Sequence, residues 1–220
     1  MALIIPSILS DSLSDIAHKL DRLHKETKLT RVQIDISDPD FVHELTVSPI
    51  DLVDLAIHDF QIDIHLMTND PINDVIECSQ IPGIHEVIAQ IEHMSSQGAF
   101  IDHVKSFDLK VGLSLDYTTP VESIDKALIH RLDTLQIVDV QEGAQGRAFG
   151  GTAVTQEIRD VRSLIEVAGQ SKIECIADGA ITEKTAGECL AAGADVLVVG
   201  SFLWTSDDLA SAIAKLELLA

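Results

Sequence analysis

Eight short apolar runs, rich in β-branched residues, recur along the chain at 3–8, 31–36, 61–66, 85–91, 110–115, 134–140, 172–177 and 195–200. They are apolar almost throughout rather than alternating, which marks strands of a parallel sheet covered by helices on its outer face. Stretches with helical periodicity lie between them, at 10–25, 48–58, 71–80, 120–132, 155–168, 182–193 and 206–219. In the first of these, Leu13, Ile16, Leu20 and Leu23 fall on one face. Each stretch opens near Ser, Thr or Pro, the residues that start helices. Strand and helix alternate with no long linker, repeat array or low-complexity stretch. This order predicts a single (β/α)₈ TIM barrel domain over 1–220. A doubly wound open sheet is the alternative, because periodicity alone does not separate the two.

Composition narrows the function. At 220 residues and 46% apolar, the chain can bury a substantial core. The longest apolar runs fall short of the roughly 18 residues needed to span a bilayer, so no membrane partner is expected. The apolar start MALIIPSILSDSL lacks a basic region and a small-residue cleavage site, and reads as the first strand. A net charge of −21 leaves no basic stripe for nucleic acid. It still permits a small anion, held locally by backbone N–H groups. Cys78, Cys175 and Cys189 form no close pair, as expected of reduced core thiols in the cytoplasm.

In such barrels the chemistry sits where strands end and βα loops begin. The polar residues at those ends are Ser7 and Ser10, then Gln33, Asp35 and Asp38, then His65. Gln90, Glu92, Asp116, Asp139, Gln141, Asp178, Gly200 and Ser201 follow. Asp35 and Asp178 come from opposite sides of the expected mouth. Two facing carboxyls can take a proton from one face of a substrate and return one to the other. His65 lies between them and can join them in holding a metal. Taken singly, a His in an apolar strand can be a satisfied core residue, and an Asp at a strand end can merely cap the next helix. Three Gly-containing turns, at 142–151, 177–185 and 199–208, suit phosphate, with Arg147 as an added charge.

The segments IPSILSDSL, VQIDISDPDFVHELTVSP, DIHLM, the GAQG turn with Phe149, ADGAI and GADVLVVGSFLW together resemble the ribulose-phosphate 3-epimerase family along essentially the whole chain. The resemblance implies a TIM barrel of the ribulose-phosphate-binding type, with a divalent metal (Zn, Mn, Fe or Mg) at its mouth. It implies that Asp35 and Asp178 exchange the C3 proton of a ketopentose phosphate. It makes His65, with the two aspartates, a metal ligand. It gives Ser7, Met67, Gly143, Gly146, Gly179, Gly200 and Ser201 to the substrate. It also implies a phosphorylated ketose as partner and a homo-oligomer, dimer or hexamer.

The sequence departs from the family pattern at the mouth. Gln33 stands where a metal-ligand histidine is expected, and Gln90 replaces a second histidine, while Glu92 is kept. Ser37 and Val138 replace methionines. The Asp-Gly-Gly turn reads Asp178-Gly179-Ala180. An amide oxygen is a harder, weaker ligand than imidazole, so Gln33 should lower zinc affinity and favour Mg²⁺ or Mn²⁺. Three readings follow: a ribulose-phosphate 3-epimerase, a C3 epimerase of a ketohexose 6-phosphate, and a non-catalytic sugar-phosphate-binding relative lacking the metal.

Overall fold

The computed structural model describes residues 3–38, 45–139 and 149–219. Its eight strands are β1 (Leu3–Leu9), β2 (Arg31–Ser37), β3 (Gln61–Met67), β4 (Ile84–Gln90), β5 (Lys110–Asp116), β6 (Thr134–Val138), β7 (Glu174–Asp178) and β8 (Val196–Val199). All pair in parallel and in chain order, and β8 returns to β1, so the sheet closes into a barrel. Every expected strand is present to within about two residues, and the open-sheet alternative is excluded by the β1–β8 ladder.

The helices are α1 (Leu13–Glu26), α2 (Val75–Cys78), α3 (Gln97–Lys105), α4 (Thr152–Val167), α5 (Glu183–Ala192), α6 (Ser201–Trp204) and α7 (Leu209–Glu217). Two expected helices shrink to 3₁₀ turns, at Pro49–Leu52 and within 120–132. In the second, the Gln97 side chain donates to the Ser123 carbonyl and accepts from the Asp125 N–H. Asp125 in turn accepts from the Ala127 N–H. Side chains thus take the backbone groups that a continuous helix would pair. Conversely, α3 is a helix that periodicity did not foretell.

Alternate strand positions divide into two cores. Ile4, Ile8, Val32, Ile34, Ile62 and Ile64 pack outward in the cluster that also holds the helix residues Ile16, Leu20 and Ile158. Ile5, Ile88, Ile176, Val196 and Val198 form a second cluster that fills the barrel interior. Gly112 makes room there, since a Cβ on it would sit 2.9 Å from Ile88 Cγ1 and 3.1 Å from Thr134 Cβ. The same inward parity carries polar residues at both ends of the barrel.

At the N-terminal end, Arg31 on β2 donates to Asp63 Oδ2 at 2.6 Å, Glu86 Oε2 at 2.8 Å and Glu174 Oε2 at 2.8 Å, tying together β2, β3, β4 and β7. Burial, with the charge of Asp63, pushes the Glu86 carboxyl up to about 8.

Candidate active site

At the C-terminal end of the barrel, the inward positions two residues beyond the apolar layer bring together Asp35, His65 and Asp178. The ladders set this: Asp35 pairs with His65 across β2–β3, and Asp178 pairs with Val138 across β6–β7. All three side chains are buried. His65 Nδ1 lies 3.3 Å from Asp35 Oδ1 and 3.9 Å from Asp178 Oδ2. One ligand atom from each of the three lies within 4.8 Å of the others. Two carboxylates and an imidazole make a donor set that suits a divalent transition metal or Mg²⁺ with added oxygens.

Gln33, one inward step below Asp35, is also buried. Its Nε2 donates to Asp35 Oδ1 at 2.7 Å and to Asp178 Oδ2 at 2.9 Å. A single amide therefore bridges the two acids. Gln136 on β6 adds a second donor to Asp178 Oδ2 at 2.9 Å. Despite these bonds, burial and then the neighbouring Asp35 charge push the Asp178 carboxyl up to about 7. His65, Gln33 and the Gly179 N–H oppose that rise. Two facing acids in one buried site thus disfavour a second negative charge, which is what raises Asp178.

The remaining sequence-derived residues divide. Ser7 is buried and pairs with Gln33 across β1–β2, and its carbonyl accepts from Trp204 Nε1 at 2.6 Å. Met67 is buried at the end of β3, opposite Ser37. Gly179 turns the chain directly after Asp178 with φ +91°, and Ala180 follows at φ +50°. Gly200 precedes α6, whose first residue is the exposed Ser201. Gly143 and Gly146, with Gln141 and Arg147, lie outside the described residues.

Other strand-end acids tie loops instead. Asp38 accepts from the Asn69 N–H. Glu92 accepts from the Asp116 N–H, and Asp116 accepts from Thr118. Asp139 accepts from the Gly150 N–H with both oxygens at 3.0 Å.

Sequence reasoning missed Gln136 and Ser114. Both are fully buried and paired across β5–β6, and Ser114 also pairs with Gln90 across β4–β5. Their inward parity, two residues from positions already suspected, was the signal.

A family profile described as "Ribulose-phosphate 3 epimerase family" matches residues 3–204. The ribulose-phosphate 3-epimerase of Mycobacterium tuberculosis is 30% identical over 216 residues, covering 98% of this chain and 91% of that one. That of Bacillus subtilis is 26% identical and covers 99% of each chain. Among solved structures, a 3-hexulose-6-phosphate synthase superposes with a TM-score of 0.60 at 16% identity, covering 100% of this chain and 99% of that one. That likeness speaks to the fold alone.

Proposed function

The chain belongs to the ribulose-phosphate 3-epimerase family, and we propose that it interconverts D-ribulose 5-phosphate and D-xylulose 5-phosphate through the Asp35–Asp178 pair. The observation that carries this reading is the single Gln33 amide bridging two buried carboxyls, Asp35 on β2 and Asp178 on β7. Two facing buried carboxyls can serve as base and acid on opposite faces of one substrate. Asp35 takes the C3 proton from one face of the substrate. Asp178 gives a proton to the opposite face, and the reverse reaction exchanges the two roles. His65 and Gln33 hold the carboxyl planes, and burial excludes water while the enediolate exists. A divalent metal held by Asp35, His65 and Asp178 would supply the positive charge that supports the enediolate oxygens.

Gln33, in place of a histidine, would be a weak fourth ligand beside those three, because its N–H₂ group already serves the acids. Ser7 and Met67 line the sugar. The substrate phosphate belongs to the turns at Gly179, Gly200 and Ser201, together with Gly143 and Gly146. Among the described residues no helix is long and apolar enough to cross a membrane. Three buried free thiols suit a reducing cytoplasm. The working unit is one barrel domain over 1–220, assembled as a homo-oligomer.

The test is proton NMR of D-ribulose 5-phosphate with the protein in D₂O, with Mn²⁺ added or with EDTA. The C3 proton signal should disappear as xylulose 5-phosphate grows in. Asp35→Asn and Asp178→Asn should each slow that exchange by about 10³-fold or more, in line with the loss of an acid or base that cannot be replaced. No exchange with any divalent metal would remove this substrate. The bridging amide would then favour the third reading, a metal-free sugar-phosphate-binding protein. Exchange at C3 of a ketohexose 6-phosphate alone would select the second.

A further inference from the structure

The N-terminal end of the barrel, opposite the catalytic mouth, holds more acid than its cation can match. Arg31 meets three carboxylates, Asp63, Glu86 and Glu174, with one positive charge. Asp63 and Glu86 are fully buried, where unmatched negative charge is expensive unless a proton or a further cation is held there. Each gives only one oxygen to the guanidinium. The other oxygen of Asp63, Oδ1, faces His85 Nδ1 at 3.0 Å. The other oxygen of Glu86, Oε1, is buried without a hydrogen-bond partner. Thr134 adds a hydroxyl beside the Glu86 carboxyl.

One ligand atom from each of Asp63, His85 and Glu86 lies within 4.8 Å of the others. These residues sit on two adjacent strands of a rigid barrel, which fixes their spacing. His85 is partly exposed and provides an entry path.

We propose that Asp63, His85 and Glu86 form a second divalent-cation site, closing the floor of the barrel independently of the catalytic centre. Two carboxylate oxygens and one imidazole nitrogen suit Mn²⁺ or Zn²⁺, with water completing the shell. A +2 ion beside Arg31 balances the three carboxylates. It satisfies the orphaned Glu86 oxygen and pins β3 to β4. Its role is structural: Asp63 is the strand partner of Gln33, but among the described residues none of Asp63, His85 and Glu86 bonds to Asp35, His65 or Asp178.

The experiment is Mn²⁺ binding to metal-stripped protein near pH 7.5, followed by electron paramagnetic resonance. Wild type is expected to take two equivalents per chain. His85→Ala should weaken one of them by at least about 10-fold, with C3 exchange unchanged. Asp178→Asn should remove only the other. The Mn²⁺ that remains in Asp178→Asn should show a nitrogen coupling that is lost when His85→Ala is added. His85 is part-exposed, so this variant should fold; Glu86→Gln is the second probe of the same equivalent.

A single equivalent in wild type that Asp178→Asn removes would overturn the proposal. So would a second equivalent indifferent to both His85→Ala and Glu86→Gln. Should Asp178→Asn leave both equivalents intact while His85→Ala removes one, the floor site stands and the catalytic metal reading falls.

Discussion

Gln33 decides what the mouth can hold. Its N–H₂ group is committed to Asp35 and Asp178 at 2.7 and 2.9 Å, so its oxygen can reach a metal only if the amide turns and gives up both bonds. A histidine there would bring a lone pair without that loss. Gln33→His is therefore expected to tighten Zn²⁺ binding by about 10- to 100-fold, measured by competition against a chromophoric chelator. Unchanged zinc affinity would mean that Gln33 lies outside the ligand sphere. A second residue carries strain. Ala180 adopts φ +50°, in the left-handed region, in the turn directly after Asp178. That conformation costs a residue with a Cβ roughly 1–2 kcal/mol, of which glycine's greater freedom when unfolded takes back part. Ala180→Gly should raise unfolding stability by about 0.5–1 kcal/mol, visible as a higher urea midpoint. A lower midpoint would show that neighbouring contacts, such as Thr185 Oγ1 donating to the Ala180 carbonyl, hold the turn without strain.

Strands were legible because each is buried on both faces and so reads as an unbroken apolar run. Helices were less so. The apolar spacing of Val121, Ile124, Leu128 and Leu132 suggests a helix, but Gln97 takes the Ser123 and Asp125 backbone groups from a distance in sequence that periodicity cannot register. The helix that Gln97 itself begins, α3, contributes only Phe100, Ile101 and Val104 as buried residues over nine positions and contains Gly98, too sparse a stripe to stand out. Asp35, Asp178 and His65 were legible as polar breaks at strand ends. Gln136 was not, because its contact with Asp178 follows from the β6–β7 register, which exists only once the sheet is built. The Arg31 network was invisible for the same reason: its members come from four strands spread between residues 31 and 174. Removing its cation leaves buried carboxylates facing one another. Arg31→Met should cost about 3–5 kcal/mol, read by urea unfolding in EDTA. A cost near zero would mean that the acids take up protons and tolerate the loss.

The charge of the whole molecule and its buried acids bear on stability in the same direction. Among the described residues five carboxyls are pushed up mainly by burial: Glu86 to about 8, Asp178 and Glu157 to about 7, Asp139 to about 6, and Asp74 above its usual range. In the unfolded chain such groups ionise near 4. Between those limits the native state holds protons that the unfolded state has released, so stability must fall as pH rises. The contribution is complete at about pH 4 and is lost progressively as pH passes 6 and then 8. Surface acids held low by partners, such as Asp21 beside Lys25 and His58 or Asp51 beside Ser48, work the other way but only in stronger acid. Metal-free protein should therefore melt highest near pH 5 and several degrees lower at pH 8.5, by scanning calorimetry in EDTA. Glu86→Gln should flatten the upper part of that slope. Salt separates the two sources of the decline. The net charge of −21 repels itself across the surface, and raising NaCl from about 0.01 to 1 M shortens the screening length from about 30 to 3 Å. That should recover the surface share of the loss at pH 8.5 and leave the buried share, which is screened far less. A pH slope that salt erases completely would assign the decline to the surface alone, and would mean that the buried acids are ionised in the native barrel with cations of their own.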